Sequence, residues 1–321
     1  MTKDTRIDID SGLAGLDSQA WCAQLEDVAE DLGYYNFLGK FHATAFIDAG
    51  PKLLVTFENV KTIIERKDDA EPVGFHYVRH EGWSHLGIYA CGESWFRDKF
   101  IYAYFDRLID DGFFEDFDDV LFYGADHGAY AATAYCVAAP GCRVLSLRPQ
   151  ATLDPRITGF DTRYRKFRRL DFNSRYGYAP EMIDAVDRAY IAYDPYRAVD
   201  AMHAALFTKR NMLPLRCNRL GEHIEIAFDA LEIAEPVMRG AMDGSLDTRR
   251  FAQLMRARRD YPNYLRNLYM HLMRQERQVM AANVCAHAVR SGHLNFFGDR
   301  LAELQEAGFA PTRPVAIKAA E

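Results

Sequence analysis

Asp126 stands between two glycines in the run Gly124-Ala125-Asp126-His127-Gly128. A carboxylate held there can attack an electrophilic carbon and form an alkyl ester, if a base then activates the water that cleaves it. Two other residues have the chemistry to complete such a set. Asp194 can orient an imidazole, and His223 can supply one. The backbone N–H of His127 and a second donor from the loop at Glu58–Asn59, placed by position alone, are candidates to stabilise an oxyanion. His203, three residues after Asp200, is the alternative base. Each of these residues also has a plainer role open to it. Asp194-Pro195 is a common turn, His223 can sit on a helix surface, and Asp200 and His203 can pair along one helix face.

The elements that must position these groups follow from the pattern. Residues 120–123 are an apolar run, 129–139 are small residues with good helix propensity, and 144–147 are apolar again. Strand, sharp turn, helix and strand make a βαβ unit of about 30 residues. Small residues are needed at such a turn because bulky ones would strike the adjacent strand and helix. Residues 42–47 and 52–58 read as strands of a hairpin, and 75–79 and 85–90 as two more strands. Residues 189–193 and 213–217 complete the set. Helical spacing marks 18–32, 95–111, 180–188, 199–207 and 222–233. Beyond 236 the pattern is helical only, over 246–261, 264–288 and 301–306, and the last dozen residues read as frayed. The expected fold class is therefore α/β. A mostly parallel sheet with helices on both faces spans residues 1–236, and a helical C-terminal extension spans 237–321. Ligands of such sheets bind beyond the carboxyl ends of the strands, which brings forward Glu58, Asn59, Asp126, Asp194 and the 217–223 loop.

The turn at Asp126 resembles the nucleophile elbow of the α/β hydrolases, with Asp in place of the usual Ser. In that family nucleophile, acid and histidine come in chain order, each beyond a strand, and Asp126, Asp194 and His223 match it. Residues 123–132, Arg148-Pro149-Gln150, Tyr193-Asp194-Pro195 and the stretch from Asp200 to His203 are also similar to hydrolase-fold proteins found near bacterial polysaccharide biosynthesis. Those usually carry Ser-Met-Gly-Gly-Tyr at the elbow. The resemblance covers about residues 50–235. It implies two functions. One is a hydrolase with an Asp nucleophile acting on a small or glycan-linked substrate, as haloalkane dehalogenases and epoxide hydrolases use a carboxylate; there a Trp commonly follows the Asp, where this chain has His127. The other is a degenerate, non-catalytic protein that binds a ligand or partner. No Ser occupies the elbow, so a fluorophosphonate should not label the protein there.

Composition narrows the partners. The 321 residues carry a net charge of −7, which argues against nucleic acid as main partner. Hydrophobic residues make up 49%, yet no run is long enough to span a bilayer, and the polar first ten residues lack a signal-peptide core. The six cysteines are scattered without a Cys-x-x-Cys, as reduced thiols of a cytoplasmic protein would be. His76, His80 and His85 read as strand-face residues rather than metal ligands. The basic cluster at 163–169 could meet an anionic ligand or water. A phosphoadenosine phosphosulfate reductase would need a Ser-Gly-Gly-Lys-Asp loop, which is absent, and no nucleotide-binding glycine motif occurs. No cofactor or metal is expected; the ligand is a small molecule or carbohydrate, with neither nucleic acid nor membrane as partner.

Overall fold

The computed structural model describes residues 7, 9–66, 68–92 and 94–313. One sheet of eight strands organises them: β1 (Gly33–Leu38), β2 (His42–Ile47), β3 (Lys52–Asn59), β4 (Ser84–Ala90), β5 (Asp119–Ala125), β6 (Arg143–Leu147), β7 (Arg188–Tyr193) and β8 (Met212–Arg216). Their order is β1-β2-β4-β3-β5-β6-β7-β8. β2 is antiparallel to both its neighbours, and every pairing from β4 to β8 is parallel.

The central strands are apolar on both faces because helices cover both. Leu53, Val55 and Phe57 of β3 join Phe122 and Val144 on one face, under helices Lys99–Asp110 and His127–Tyr135. Leu54, Leu121, Leu145 and Tyr190 point the other way, beneath Phe228, Val237, Met242 and Phe251. Helix Ser18–Leu32 buries Trp21 and Leu25 against Ala43, Ala45 and Tyr89 at the β1–β2 end of the sheet.

Several expectations are corrected. Strands β2 and β3 form, but they are not a hairpin: β4 lies between them. Gly33–Leu38 is an edge strand directly after the first helix. Residues 75–79 are helical, within Val73–Glu81. Phe75 and Val78 are buried at helical spacing, and Gly82 closes the helix with φ 65°. The span 95–111 is helical only from Lys99, so Trp95 and Phe96 lie in the preceding loop. The span 264–288 breaks into Pro262–Arg274 and Gln278–Arg290, with Glu276 at φ 53° in the turn.

The boundary expected near 236 falls inside helix Ala234–Met242, whose Val237, Met238 and Ala241 pack in the sheet core. From Leu265 to Leu304 the helices form a hydrophobic cluster of their own. Of the last dozen residues, 314–321 lie outside the described residues. Among the described residues, no helix is long and apolar enough to cross a membrane.

The tightest steric constraint lies between β3, β5 and helix His127–Tyr135. A Cβ on Gly124 would come 2.1 Å from the carbonyl oxygen of Gly128, and one on Gly128 would come 2.0 Å from that of Phe57. Backbone cannot yield there as a side chain could. Gly124→Ala and Gly128→Ala should each lower unfolding free energy by about 3 kcal/mol, the upper end for overpacking. Gly298→Ala, helical with nothing within 4 Å, should raise it by about 0.5–1 kcal/mol. Urea unfolding checks both; an unchanged midpoint for Gly124→Ala would refute the constraint.

Candidate active-site cleft

Strand β5 delivers the chain to Asp126, which adopts φ 53° and ψ −114° before helix His127–Tyr135 begins. This is the strained strand-to-helix apex that the two glycines imply. Its N–H donates to the Leu147 carbonyl at 3.0 Å, and its carbonyl accepts from the N–H of Ala129 at 3.1 Å. The side chain, 46% exposed, is thereby turned out at the carboxyl end of the sheet.

Above it lies an open cleft. Four carboxylates (Glu58, Glu71, Asp126, Glu225) and two guanidinia (Arg66, Arg148) line it, with the aromatic walls Phe57, Phe96, Tyr123 and Tyr164. The elbow carboxylate is not bare. Asp126 Oδ1 accepts from Arg148 Nε at 2.6 Å and lies 2.5 Å from Nη2. Arg148 is largely buried just beyond β6, with φ 63° and its N–H on the Ala192 carbonyl at 2.7 Å. Burial alone would weaken its hold on the proton, but the Asp126 charge and its hydrogen bond more than offset that, and the guanidinium pKa is raised. Its Nη1 is 3.7 Å from Glu222, which also takes Arg197 at 2.8 Å. Deeper in, Tyr123 donates to Glu225 at 2.6 Å, and Arg66 pairs with Glu225 and with Asp229. Burial raises the Glu225 pKa, with Arg66 and Tyr123 opposing it.

The expected partners are placed as follows. Asp194 directly follows β7, buried, and its carboxylate accepts from the backbone N–H groups of Tyr196 (3.0 Å), Arg219 (3.0 Å) and Gly221 (2.9 Å). It ties the end of β7 to the loop after β8. His223 starts helix Ile224–Ala230 with a side chain 68% exposed, 3.9 Å from Glu222. Asp126 and His127 line the cleft, as does Asn59; Asp194 and His223 do not. Asn59 donates to the Gly92 carbonyl at 2.7 Å and accepts from Thr62 N–H at 3.3 Å, so its amide braces backbone on both sides. The His127 ring lies 4.4 Å from that of Trp95.

His203 is fully buried. Its Nδ1 accepts from Ala151 N–H at 3.2 Å and its Nε2 is 2.9 Å from Asp161. Burial works against the Asp161 charge, but His203 and Arg163 outweigh it and hold its pKa well below the usual carboxylate range. Arg163 also binds Asp200 at 2.6 Å, so Asp200 meets its helix neighbour through this network. The head of the basic cluster is thus spent inside the protein. Among the described residues, no group of three or more His, Cys, Asp or Glu is placed to hold a metal ion. The six cysteines are free thiols.

Arg148 is the partner of Asp126 that the sequence pattern does not single out. It follows a strand, as the other site residues do, and that position was the available signal. Glu225 had no comparable signal, because its burial depends on Tyr123 and Arg66, 102 and 159 positions away.

Strand order, parallel core and the apex at Asp126 make the fold α/β-hydrolase-like. Solved structures similar to it include a thermophilic carboxylesterase cloned from a metagenomic library, at 11% identity and a TM-score of 0.40, covering 71% of this chain and 98% of that one. An esterase of Pyrobaculum calidifontis covers 73% of this chain and 96% of its own at 12% identity and TM-score 0.42. A Glycosylation Associate Protein complex from Streptococcus agalactiae matches 54% of this chain at 16% identity and TM-score 0.37, and the match spans only 39% of that chain. No protein-family model matches the sequence. No curated protein matches it.

The Asp126–Arg148 pair yields a direct energetic expectation. In a double-mutant cycle of Asp126→Asn and Arg148→Met followed by urea unfolding, the coupling should be about 1–2 kcal/mol, the lower range for a charge-assisted bond at a half-exposed carboxylate. A coupling below about 0.3 kcal/mol would show that the two side chains do not act together.

Proposed function

We propose that the cleft over Asp126 binds a polar, polyhydroxylated small molecule such as a carbohydrate unit, with the elbow carboxylate serving as a binding group rather than a nucleophile. The observation that carries this reading is the grip of Arg148 on Asp126 Oδ1. A carboxylate that shares its charge with a guanidinium is a poor attacker of carbon, but its other oxygen still accepts a hydrogen bond. The lining supplies what a sugar needs: carboxylates and guanidinia for neighbouring hydroxyls, and aromatic walls for the apolar ring face.

One observation favours the second reading, an Asp-nucleophile hydrolase. The apex conformation of Asp126 is the kind of backbone strain that collects at reacting residues. Turnover by that route also needs a base within about 3 Å of the attacking water. His223, out of the cleft, leaves that requirement open.

Saturation-transfer NMR with methyl glucoside, methyl galactoside and N-acetylglucosamine tests the binding reading. At least one should receive saturation from the protein, and Arg148→Met should weaken it about tenfold or more, ~1.4 kcal/mol. Glu306→Gln, at the end of the last helix and not lining the cleft, should leave binding unchanged. No transfer to any of the three saccharides would overturn the proposal.

A further inference from the structure

Next to the elbow, another wall of the same cleft carries side chains that the elbow does not use. Ser94 lines the cleft, in the loop after β4. Its Oγ lies 2.5 Å from Nε2 of His42, which opens β2 and pairs with Ala90 at the end of β4. His42 is 4% exposed. Its Nδ1 is buried without a hydrogen-bond partner and lies 3.9 Å from Asp98 Oδ2. The other Asp98 oxygen accepts the Phe100 N–H at 2.9 Å and caps helix Lys99–Asp110, which fixes how the carboxylate is turned.

Proton counting orders these contacts. The Phe96 N–H donates to Ser94 Oγ at 2.9 Å. That bond uses one of the two lone pairs of Ser94 Oγ, and in the tautomer that serves a base the hydroxyl proton is given to His42 Nε2, which accepts it. That tautomer leaves the ring proton on Nδ1, facing Asp98. Burial lowers the His42 pKa, with Asp98 opposing it, so the ring is neutral and able to take a proton at pH 7.

We infer that Ser94, His42 and Asp98 form a serine nucleophile, its base and a positioning carboxylate, and that they cleave acyl esters of the molecule held in the cleft. The inference rests on the cleft being a ligand site, as proposed above. Ser94 Oγ attacks the ester carbonyl carbon while its proton passes to His42 Nε2. The carbon–oxygen bond to the alcohol then breaks, and the alcohol leaves with that proton. Water attacks the acyl-serine, gives a proton to His42, and releases the carboxylic acid as Ser94 regains its hydrogen. No redox partner or metal enters the balance.

The neighbouring helix supplies the place for the oxyanion. Gly128, in the first turn of His127–Tyr135, lines the cleft, and a backbone N–H at a helix start can donate to an oxyanion. Trp95, the residue after Ser94, sets its ring 4.4 Å from that of His127, so the serine loop is packed onto that helix start. The 3.9 Å gap between His42 and Asp98 is longer than a hydrogen bond. Such contacts tighten when substrate is bound.

The test uses the full chain with a fluorophosphonate probe and with p-nitrophenyl acetate. One label should appear, mapped to Ser94 by peptide mass spectrometry, and it should vanish in Ser94→Ala and His42→Gln. Ester hydrolysis in Ser94→Ala should fall by about 100-fold or more. Asp98→Asn, which keeps the helix cap, should lower kcat about tenfold with KM unchanged, a split that a merely structural role would not produce. No label, a label on another residue, or full hydrolysis by Ser94→Ala would overturn the inference. The saccharide measurement separates the two readings. Saccharide binding that persists without Ser94 labelling removes the serine relay alone, whereas labelling without saccharide binding removes only the proposed ligand class.

Discussion

The close approach of one helix to two parallel strands is the constraint on which the rest depends. Gly124 and Gly128 let helix His127–Tyr135 begin against the backbone of β3 and β5 at distances no side chain would permit. That approach forces the positive φ of Asp126 and turns its carboxylate out over the strand ends. It also brings the first turn of the helix to the floor of the cleft, where Gly128, His127 and Asp126 all face the same space. The cost of the strained apex is of order 1–3 kcal/mol, offset by the buried small-residue helix it makes possible.

Around this apex, charge is arranged in closed pairs. Arg148 holds Asp126 and reaches toward Glu222; Arg66 holds Glu225 and Asp229; Arg163 joins Asp161 and Asp200, with His203 behind. Asp194, where the chain order of the resembled family calls for a triad acid, instead grips the backbone of residues 219 and 221. A carboxylate that accepts three backbone N–H bonds is a structural clamp, and the imidazole it would have oriented stands outside in His223. At the triad positions the structure thus shows ion pairing at Asp126 and loop bracing at Asp194.

Much of this was legible in the residues. The run from Val120 to Ala139 announces strand, elbow and helix, because small residues at fixed places leave few other solutions. The apolar centre of β3 announces a strand buried on both faces. What was not legible depends on contacts distant in sequence. Residues 73–81 carry aromatic and β-branched side chains that suit a strand, and only the burial of Phe75 and Val78, in a helix that packs on β3 and β4, decides for a helix. The pairing of β2 with β4 is a crossover that local sequence does not encode. Arg148 could be placed beyond a strand, but its bond to Asp126 joins residues 22 apart and depends on the backbone turn at φ 63°. Ser94 and His42, 52 apart, meet only because β2 and β4 are neighbours.

The central claim is that Arg148 makes the elbow carboxylate a binding group and not a nucleophile. It is tested most directly by exposing the wild-type protein and His223→Gln to an aryl epoxide and weighing the intact chains. The account predicts no mass increase on Asp126 in either protein. A stoichiometric adduct mapped to Asp126, accumulating in His223→Gln, would contradict it and establish covalent chemistry at the elbow.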